Sequence, residues 1–196
     1  MNSLVLASAS ASRRAMLDAA GVAHIACPAG LDERALEDEL APQGPAAIVT
    51  GLAVAKARAV AGMHPGRIVL GSDSLVEVDG RRFAKPGSRS EAAAHLRAFS
   101  GRSMALFSAA ALVRDDSLLW RCHDRAALGV RVLSGEFIAR YLDAEWPAVA
   151  GCVGVFRIEA RGVQLFDSIE GSHFTVLGMP LLPVLAALRV HGVIGA

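Results

Sequence analysis

The chain has 196 residues, 53% of them hydrophobic and 20% charged, and a formal net charge of +1. That length supports a substantial core, in one domain or two small lobes, and the composition excludes a disordered chain. With 20 basic against 19 acidic residues there is no strongly basic face, so no duplex nucleic-acid partner is expected. The longest apolar stretch, Phe174 to Leu188, is broken by Pro180 and Pro183 and falls short of the ~20 residues of a membrane span, so no membrane partner is expected. The chain opens without a basic lead-in or an apolar segment followed by a cleavage site, which argues against secretion. Cys27, Cys122 and Cys152 are odd in number and widely spaced, forming neither a metal knuckle nor a disulfide framework. That usage suits a reducing cytoplasm.

In chain order, the pattern is mixed α/β. Residues 3–7 read as a strand and 11–20 as a helix stopped by Gly21. A second strand spans 23–27 and ends at Cys27-Pro28. An acidic segment follows from Leu31-Asp32-Glu33 to Glu39, then a Pro/Gly-rich loop at 42–45. The helix at 45–61 opens with proline in its first turn and ends at Gly62. Residues 67–79 read as a strand, Asp79-Gly80 as a turn, with a short return to Phe83. Ser88-x-x-Glu91 is a capping box opening a helix to about Phe99. Strands at 103–113 and 118–132 form a hairpin around Asp115-Asp116. Ser134-x-Glu136 starts a helix that ends before Pro147. Short strands at 152–158 and 163–166 precede a last helix from Pro180 to Val190. No linker divides the chain, which reads as a single domain over 1–196.

Three features stand out chemically. In Leu4-Val5-Leu6-Ala7-Ser8-Ala9-Ser10-Ala11-Ser12-Arg13-Arg14, two arginines occupy the first turn of a helix, where the positive end of the dipole disfavours them. Serine hydroxyls, orphan N–H groups and guanidinium forks together suit a phosphate. Alternatively, Ser10 or Ser12 caps the helix and the arginines face water. In Ile68-Val69-Leu70-Gly71-Ser72-Asp73-Ser74-Leu75, Asp73 interrupts a run that otherwise reads as a buried strand. A carboxylate there costs several kcal/mol unless a cation or donors compensate it. Gly71, on the same strand face, leaves space for a ligand or another backbone. A turn placing Asp73 in solvent is the other reading.

Lys56 lies beside an apolar helical stripe of Ile48, Leu52, Ala55 and Ala59, so its ammonium either reaches inward to a carboxylate or phosphate or snorkels to water. Lys85-Pro86 places a further lysine in a loop. Arg102 in Ser100-Gly101-Arg102 either binds an anion or bridges to an acidic neighbour.

The succession Ala7-Ser8-x-Ser10-x-x-Arg13-Arg14, Asp32-Glu33, Lys56, Gly71-Ser72-Asp73, Lys85-Pro86, Ser100-Gly101-Arg102, Ala150-Gly151 and Glu170-Gly171-Ser172 resembles the Maf family of nucleotide pyrophosphatases. Val176-Leu177-Gly178-Met179-Pro180-Leu181 resembles its C-terminal signature, so the resemblance covers nearly the whole chain. It implies a Maf/inosine-triphosphatase-like α/β fold, an elongated, mixed, twisted sheet with flanking helices and two lobes around a central cleft. It also implies hydrolysis of nucleoside triphosphates to monophosphate and pyrophosphate, with a divalent cation, Mg²⁺ or in its place Mn²⁺ or Co²⁺. By the same resemblance Asp73, Lys56 and Lys85 are catalytic, and Asp73 and Glu33 hold metal. Ser8, Ser10, Arg13, Glu33, Ser74 and Glu159 bind substrate. A homodimer is implied too, with the apolar hairpin at 103–132 contributing to its interface. A cytoplasmic enzyme that clears surplus or modified nucleotides follows.

The chain departs from the family pattern in places. Ala84 precedes Lys85-Pro86 where glycine is common. Ser74 stands where thymidine- and uridine-directed members often have threonine. Glu159 stands where that branch tends to have glutamine and the branch acting on 7-methylguanosine triphosphate tends to have glutamate. A carboxylate there suits the N1–H and exocyclic amine of guanine. Ser12 and Ser74, however, replace the bulky aromatic residue and the glutamine of the methylguanosine branch. A different class of function is a nucleotide-sensing interaction protein in cell-division control, with little turnover. There is no Gly-x-x-x-x-Gly-Lys phosphate loop and no serine elbow.

Overall fold

The structure is a computed structural model that describes residues 4–195. Its elements are β1 (Leu4–Leu6), α1 (Ala11–Ala19), β2 (His24–Ala26), α2 (Glu33–Leu40), α3 (Pro45–Ala61), β3 (Ile68–Val78), β4 (Arg81–Phe83), α4 (Arg89–Phe99), β5 (Ser103–Arg114), β6 (Ser117–Val130), α5 (Gly135–Glu145), β7 (Phe166–Glu170), α6 (His173–Val176) and α7 (Leu181–Val190). Among the described residues the strands form one mixed seven-stranded sheet in the order β2-β1-β3-β5-β6-β7, with β4 paired to β3.

The chain divides into two compact units. The first comprises Met1–Ser74, Phe107–Asp124 and Gly178–Ala196; the second comprises Leu75–Leu106 and Arg125–Leu177. In the first, β1 runs parallel to both β2 and β3, with Val5 opposite Val69 and Leu6 opposite Leu70. Strand β1 stops there, whereas β3 continues through Gly71, Ser72 and Asp73. The chain turns to opposite sides of β1 to place β2 and β3. Open α/β sheets present their ligands at such a reversal, outside the carboxyl ends of the strands.

Helix α3 packs through Val49, Leu52, Ala53, Ala57, Val60 and Ala61, all buried. This corrects the apolar stripe expected from the sequence. Ile48 and Leu52 are buried, but Ala55 is only half-buried and Ala59 is exposed. Alanines are poor markers of a buried face, because burying one methyl yields little free energy. The contact with β3 is close at Gly71. A β-carbon there would run into the Ala53 carbonyl oxygen and the Ala57 amide of α3. The space beside Gly71 is thus taken by another backbone.

The second unit has its own core, in which Phe83, Leu96, Phe99, Met104, Leu128, Ile138, Tyr141 and Leu142 pack together. Phe83 meets Phe99 edge-on at 4.7 Å between ring centroids. Its helices start where the sequence placed them: Ser88 accepts from the Glu91 amide to cap α4, and Ser134 accepts from the Phe137 amide to cap α5. Asp79 and Gly80 both have positive φ, as a tight hairpin turn requires.

Two strand expectations fail, and the acidic segment, to which the sequence pattern assigned no element, is helical. The acidic segment before residue 40 is helix α2, capped by Asp32, whose side chain accepts from the Arg34 amide. Residues 152–158 are not a strand. Val155 has φ +56°, a left-handed conformation outside the strand region. Residues Arg161–Leu165 form a 3₁₀ turn, and the strand expected at 163–166 begins only at Phe166 and runs to Glu170. As the terminal strand of the sheet, β7 is mostly exposed and polar, so it lacks the apolar run that marks interior strands.

The α3–β3 approach gives a direct test. Gly71→Ala is expected to cost about 1–3 kcal/mol, because the obstructing atoms are helix backbone and cannot rotate aside. The urea midpoint should fall with its slope unchanged.

Candidate active site

The residues singled out from the sequence separate by unit. Ser8, Ser10, Arg13, Glu33, Lys56, Asp73 and Ser74 belong to the first; Lys85 and Glu159 belong to the second.

In the first unit, β1 delivers the chain into the loop preceding α1. Ser10 is the cap of α1, its hydroxyl accepting from the Arg13 amide at 3.4 Å. Ser8 is buried, and its Oγ accepts from the Ser10 amide and from Arg13 Nη1, both at 3.2 Å. Arg14 is exposed, whereas Arg13 turns inward. Its Nε donates to the Gly178 carbonyl at 2.9 Å and its Nη2 to Ser74 Oγ at 3.0 Å. Burial pulls the Arg13 guanidinium down from its ordinary value, while the charges of Asp73 and Glu33 push it back up. It stays charged, as arginine does in proteins. The capping reading of this motif is therefore met in part. Ser10 caps, and of the two arginines only Arg14 faces water.

Asp73 lies within β3 and is 9% exposed. Alternation along the strand sends it to the same face as Gly71, the face on which α3 packs. There Lys56 Nζ sits 2.5 Å from Asp73 Oδ1 and 2.9 Å from Glu33 Oε1. The lysine side chain is 11% exposed, so it does not snorkel to water. The inward reading of Lys56 and the interior-strand reading of Asp73 hold, and each supplies the other's compensation. Glu33, the first residue of α2, is half-buried and brings a second carboxylate to the same ammonium.

Ser72 and Ser74, on the other face of β3, donate to the Gly178 carbonyl at 3.2 and 3.0 Å. Gly178 has φ +104°, and a β-carbon there would press on Ser74 Oγ. Ser74 Oγ also lies 3.0 Å from Ser108 Oγ of β5. Sequence reading passed over Ser108 and the role of Gly178. Ser108 sits in an unremarkable alanine-rich strand, and a backbone carbonyl has no side-chain signature.

The donor set for a metal can be judged from chemistry. Among the described residues no three His, Cys, Asp or Glu side chains gather in one place. Two carboxylates do converge, Asp73 and Glu33, both hard oxygen donors. Mg²⁺ commonly takes one or two carboxylates and completes its shell with water and phosphate oxygens. The residues present fit such an ion.

In the second unit, Lys85 is exposed in the loop after β4. The adjoining Gly87 amide donates to Glu91 Oε2 at 2.8 Å, tying that loop to α4. Arg102 bridges to Asp79 at 2.6 Å, the acidic-neighbour reading of its motif. Glu159 is exposed at the end of the irregular segment 152–159. Three side-chain hydrogen bonds hold that segment: Tyr141 donates its hydroxyl to the Val155 carbonyl at 3.0 Å, and Arg157 donates Nε and Nη2 to Glu145 Oε2 at 3.0 and 2.9 Å. Glu145 is 4% exposed, and its bond holds the Arg157 guanidinium above its ordinary value. Burial pushes up the Cys152 thiol here and, in the first unit, the Cys122 thiol to about 11, so neither is a thiolate nucleophile at neutral pH.

The family model described as "Maf-like protein" matches residues 3–191. A nucleoside triphosphate pyrophosphatase of Nitrobacter hamburgensis is 46% identical over 191 residues, 97% of this chain and 95% of its own. A 7-methyl-GTP pyrophosphatase of Rhizobium meliloti is 46% identical over 195 residues, 98% of each chain. A nucleoside triphosphate pyrophosphatase of Sphingopyxis alaskensis is 46% identical over 192 residues, 96% of this chain and 97% of its own.

Removing Arg157 would leave the buried Glu145 carboxylate without its counter-charge. Arg157→Ala is expected to destabilise the protein by about 3 kcal/mol, read by thermal unfolding. Arg157→Lys should restore only part of the loss, since a point charge cannot replace two forked donors.

Proposed function

This chain belongs to the Maf family, and from that premise we propose that it hydrolyses nucleoside triphosphates to the monophosphate and pyrophosphate. The observation that carries this reading is the placement of Lys56 between Asp73 and Glu33, beside Arg13, where β3 runs on past the carboxyl end of β1. Relatives named nucleoside triphosphate pyrophosphatase and 7-methyl-GTP pyrophosphatase, matched along nearly their full length, support it.

In the proposed reaction water attacks the α-phosphorus, the bond to the bridging oxygen breaks, and pyrophosphate leaves. Asp73 orients the water and accepts its proton. Lys56 neutralises charge that grows on the phosphate oxygens in the transition state. Three of the five N–H groups of Arg13 donate within the protein, which holds its plane while the remaining two meet phosphate. Ser8 and Ser10 line the opening loop against the same group. A divalent cation, Mg²⁺ in the first instance, would be held by Asp73 and Glu33, and when bound it acidifies water and offsets phosphate charge. For the second unit the family likeness supplies two assignments, Lys85 as a cation for phosphate and Glu159 as an acceptor for guanine N–H donors. Modified guanine nucleotides are therefore among the substrates proposed, and clearing them from the nucleotide pool is the proposed role.

Purified protein with Mg²⁺, given unmodified nucleoside triphosphates and 7-methyl-GTP, should release pyrophosphate as its first product. Orthophosphate as the first product would place the cut elsewhere and sink the reading. Tight binding with no turnover under Mg²⁺, Mn²⁺ or Co²⁺ would favour a nucleotide sensor instead. Asp73→Asn should lower kcat about a hundred- to ten-thousand-fold with the fold intact by circular dichroism. Retained turnover would remove Asp73 from the central role.

A further inference from the structure

The hydroxyl of Ser74 has three neighbours in the first unit. Arg13 Nη2 lies at 3.0 Å, the Gly178 carbonyl oxygen at 3.0 Å and Ser108 Oγ at 3.0 Å. A serine hydroxyl offers one proton and two lone pairs, three bonding capacities in all. The guanidinium can only donate, which takes one lone pair. The carbonyl can only accept, which takes the proton. With that proton on the carbonyl, the contact to Ser108 has Ser108 donating into the second lone pair. In the reverse assignment Ser74 Oγ and the Gly178 oxygen would face each other at 3.0 Å with no proton between them, a repulsion that a proton from Ser108 avoids. Ser108 is 0% exposed, so no bulk water can take over this bond.

We infer that Ser108 is a positioning residue for Arg13, acting through Ser74, and that Ser74 sets the Arg13 fork in place of the base-contacting role that family likeness gives that position. All three bonding capacities of Ser74 are spent inside the protein, so its hydroxyl has none to offer a base. The bonds from Arg13 Nε and Nη2 end on Gly178 O and Ser74 Oγ, two atoms themselves joined by the Ser74 proton. That closed ring defines the guanidinium plane. Ser108 is the outer member that keeps the ring's proton pointing at Gly178. Ser72, donating to the same carbonyl at 3.2 Å, steadies the other side of it.

The inference rests on Arg13 gripping phosphate, as proposed above, and predicts an effect blind to the base. Ser108→Ala in the full chain should lower kcat/KM about tenfold, the loss of one bond to a charged group's partner, by the same factor for every triphosphate accepted. Ser108→Thr keeps the hydroxyl and should return activity to within about twofold. Ser74→Ala should likewise depress all substrates together. A change in the ranking of bases in Ser74→Ala would overturn the inference, as would full activity of Ser108→Ala. A second measurement needs no turnover. The Arg13 Nε–H resonance, assigned by its loss in Arg13→Lys, should exchange with solvent several-fold faster in Ser108→Ala and at the original rate in Ser108→Thr. Unchanged exchange in Ser108→Ala would overturn the inference. Wild-type protein that releases no pyrophosphate from any triphosphate would defeat the proposed function, and the exchange rates would then decide the Ser108 assignment alone.

Discussion

The ion pair between Lys56 and Asp73 is the constraint on which the first unit depends. An aspartate within a strand that is otherwise buried is costly, and so is a lysine on the packing face of a helix. Each is tolerable only because the other is opposite it. Reaching that geometry requires α3 to lie close against β3, and Gly71 is what permits it, since any side chain there would strike the helix backbone. Glu33 then adds a second carboxylate to the same ammonium. The packing of a helix on a sheet and the gathering of Lys56, Asp73 and Glu33 are therefore one arrangement.

The two faces of β3 divide the work. Toward α3 the strand presents Gly71 and Asp73, the charge-bearing side. On the opposite face Ser72 and Ser74 donate to the Gly178 carbonyl, which also takes Arg13 Nε. The strand's period of two makes this possible, because adjacent residues serve different partners. Register supplies the rest. Strand β1 ends opposite Leu70, so the residues that follow on β3 extend beyond it, next to the loop that carries Ser8 and Ser10. The signature around Gly178 thus has a physical reason. Its positive φ brings a carbonyl to three donors from residues distant in sequence.

Much of the fold was legible in the sequence, and for local reasons. Ser88 and Ser134 announce helix starts because a capping hydroxyl acts within three residues. Asp79-Gly80 announces a turn because few other residues accept positive φ. The failures are equally physical. Helix α2 has few apolar residues and none that is buried, so periodicity had little to report. Residues 152–156 carry no charged side chain and lie outside any strand, and the segment is held instead by Tyr141 of α5 and by the pair of Arg157 with Glu145 of α5. The misjudged face of α3 reflects alanine, which has too little side chain to declare which way it points.

The sequence by itself determined most of the elements before residue 150, the chemical types available to the site and the family to which the chain belongs. Those follow from short-range rules and from motifs that survive as strings. Only the tertiary structure decided what each charge meets. Arg13 and Arg14 are neighbours in sequence, yet one is locked to Gly178 and Ser74 while the other is exposed. Lys56 was open to two fates until Glu33 and Asp73 were placed on either side of it. Ser108 carried no signal, because a hydroxyl's role lies in which atoms surround it. Such partners are set by strand register and by how closely a helix approaches a sheet, and those depend on the packing of the whole unit.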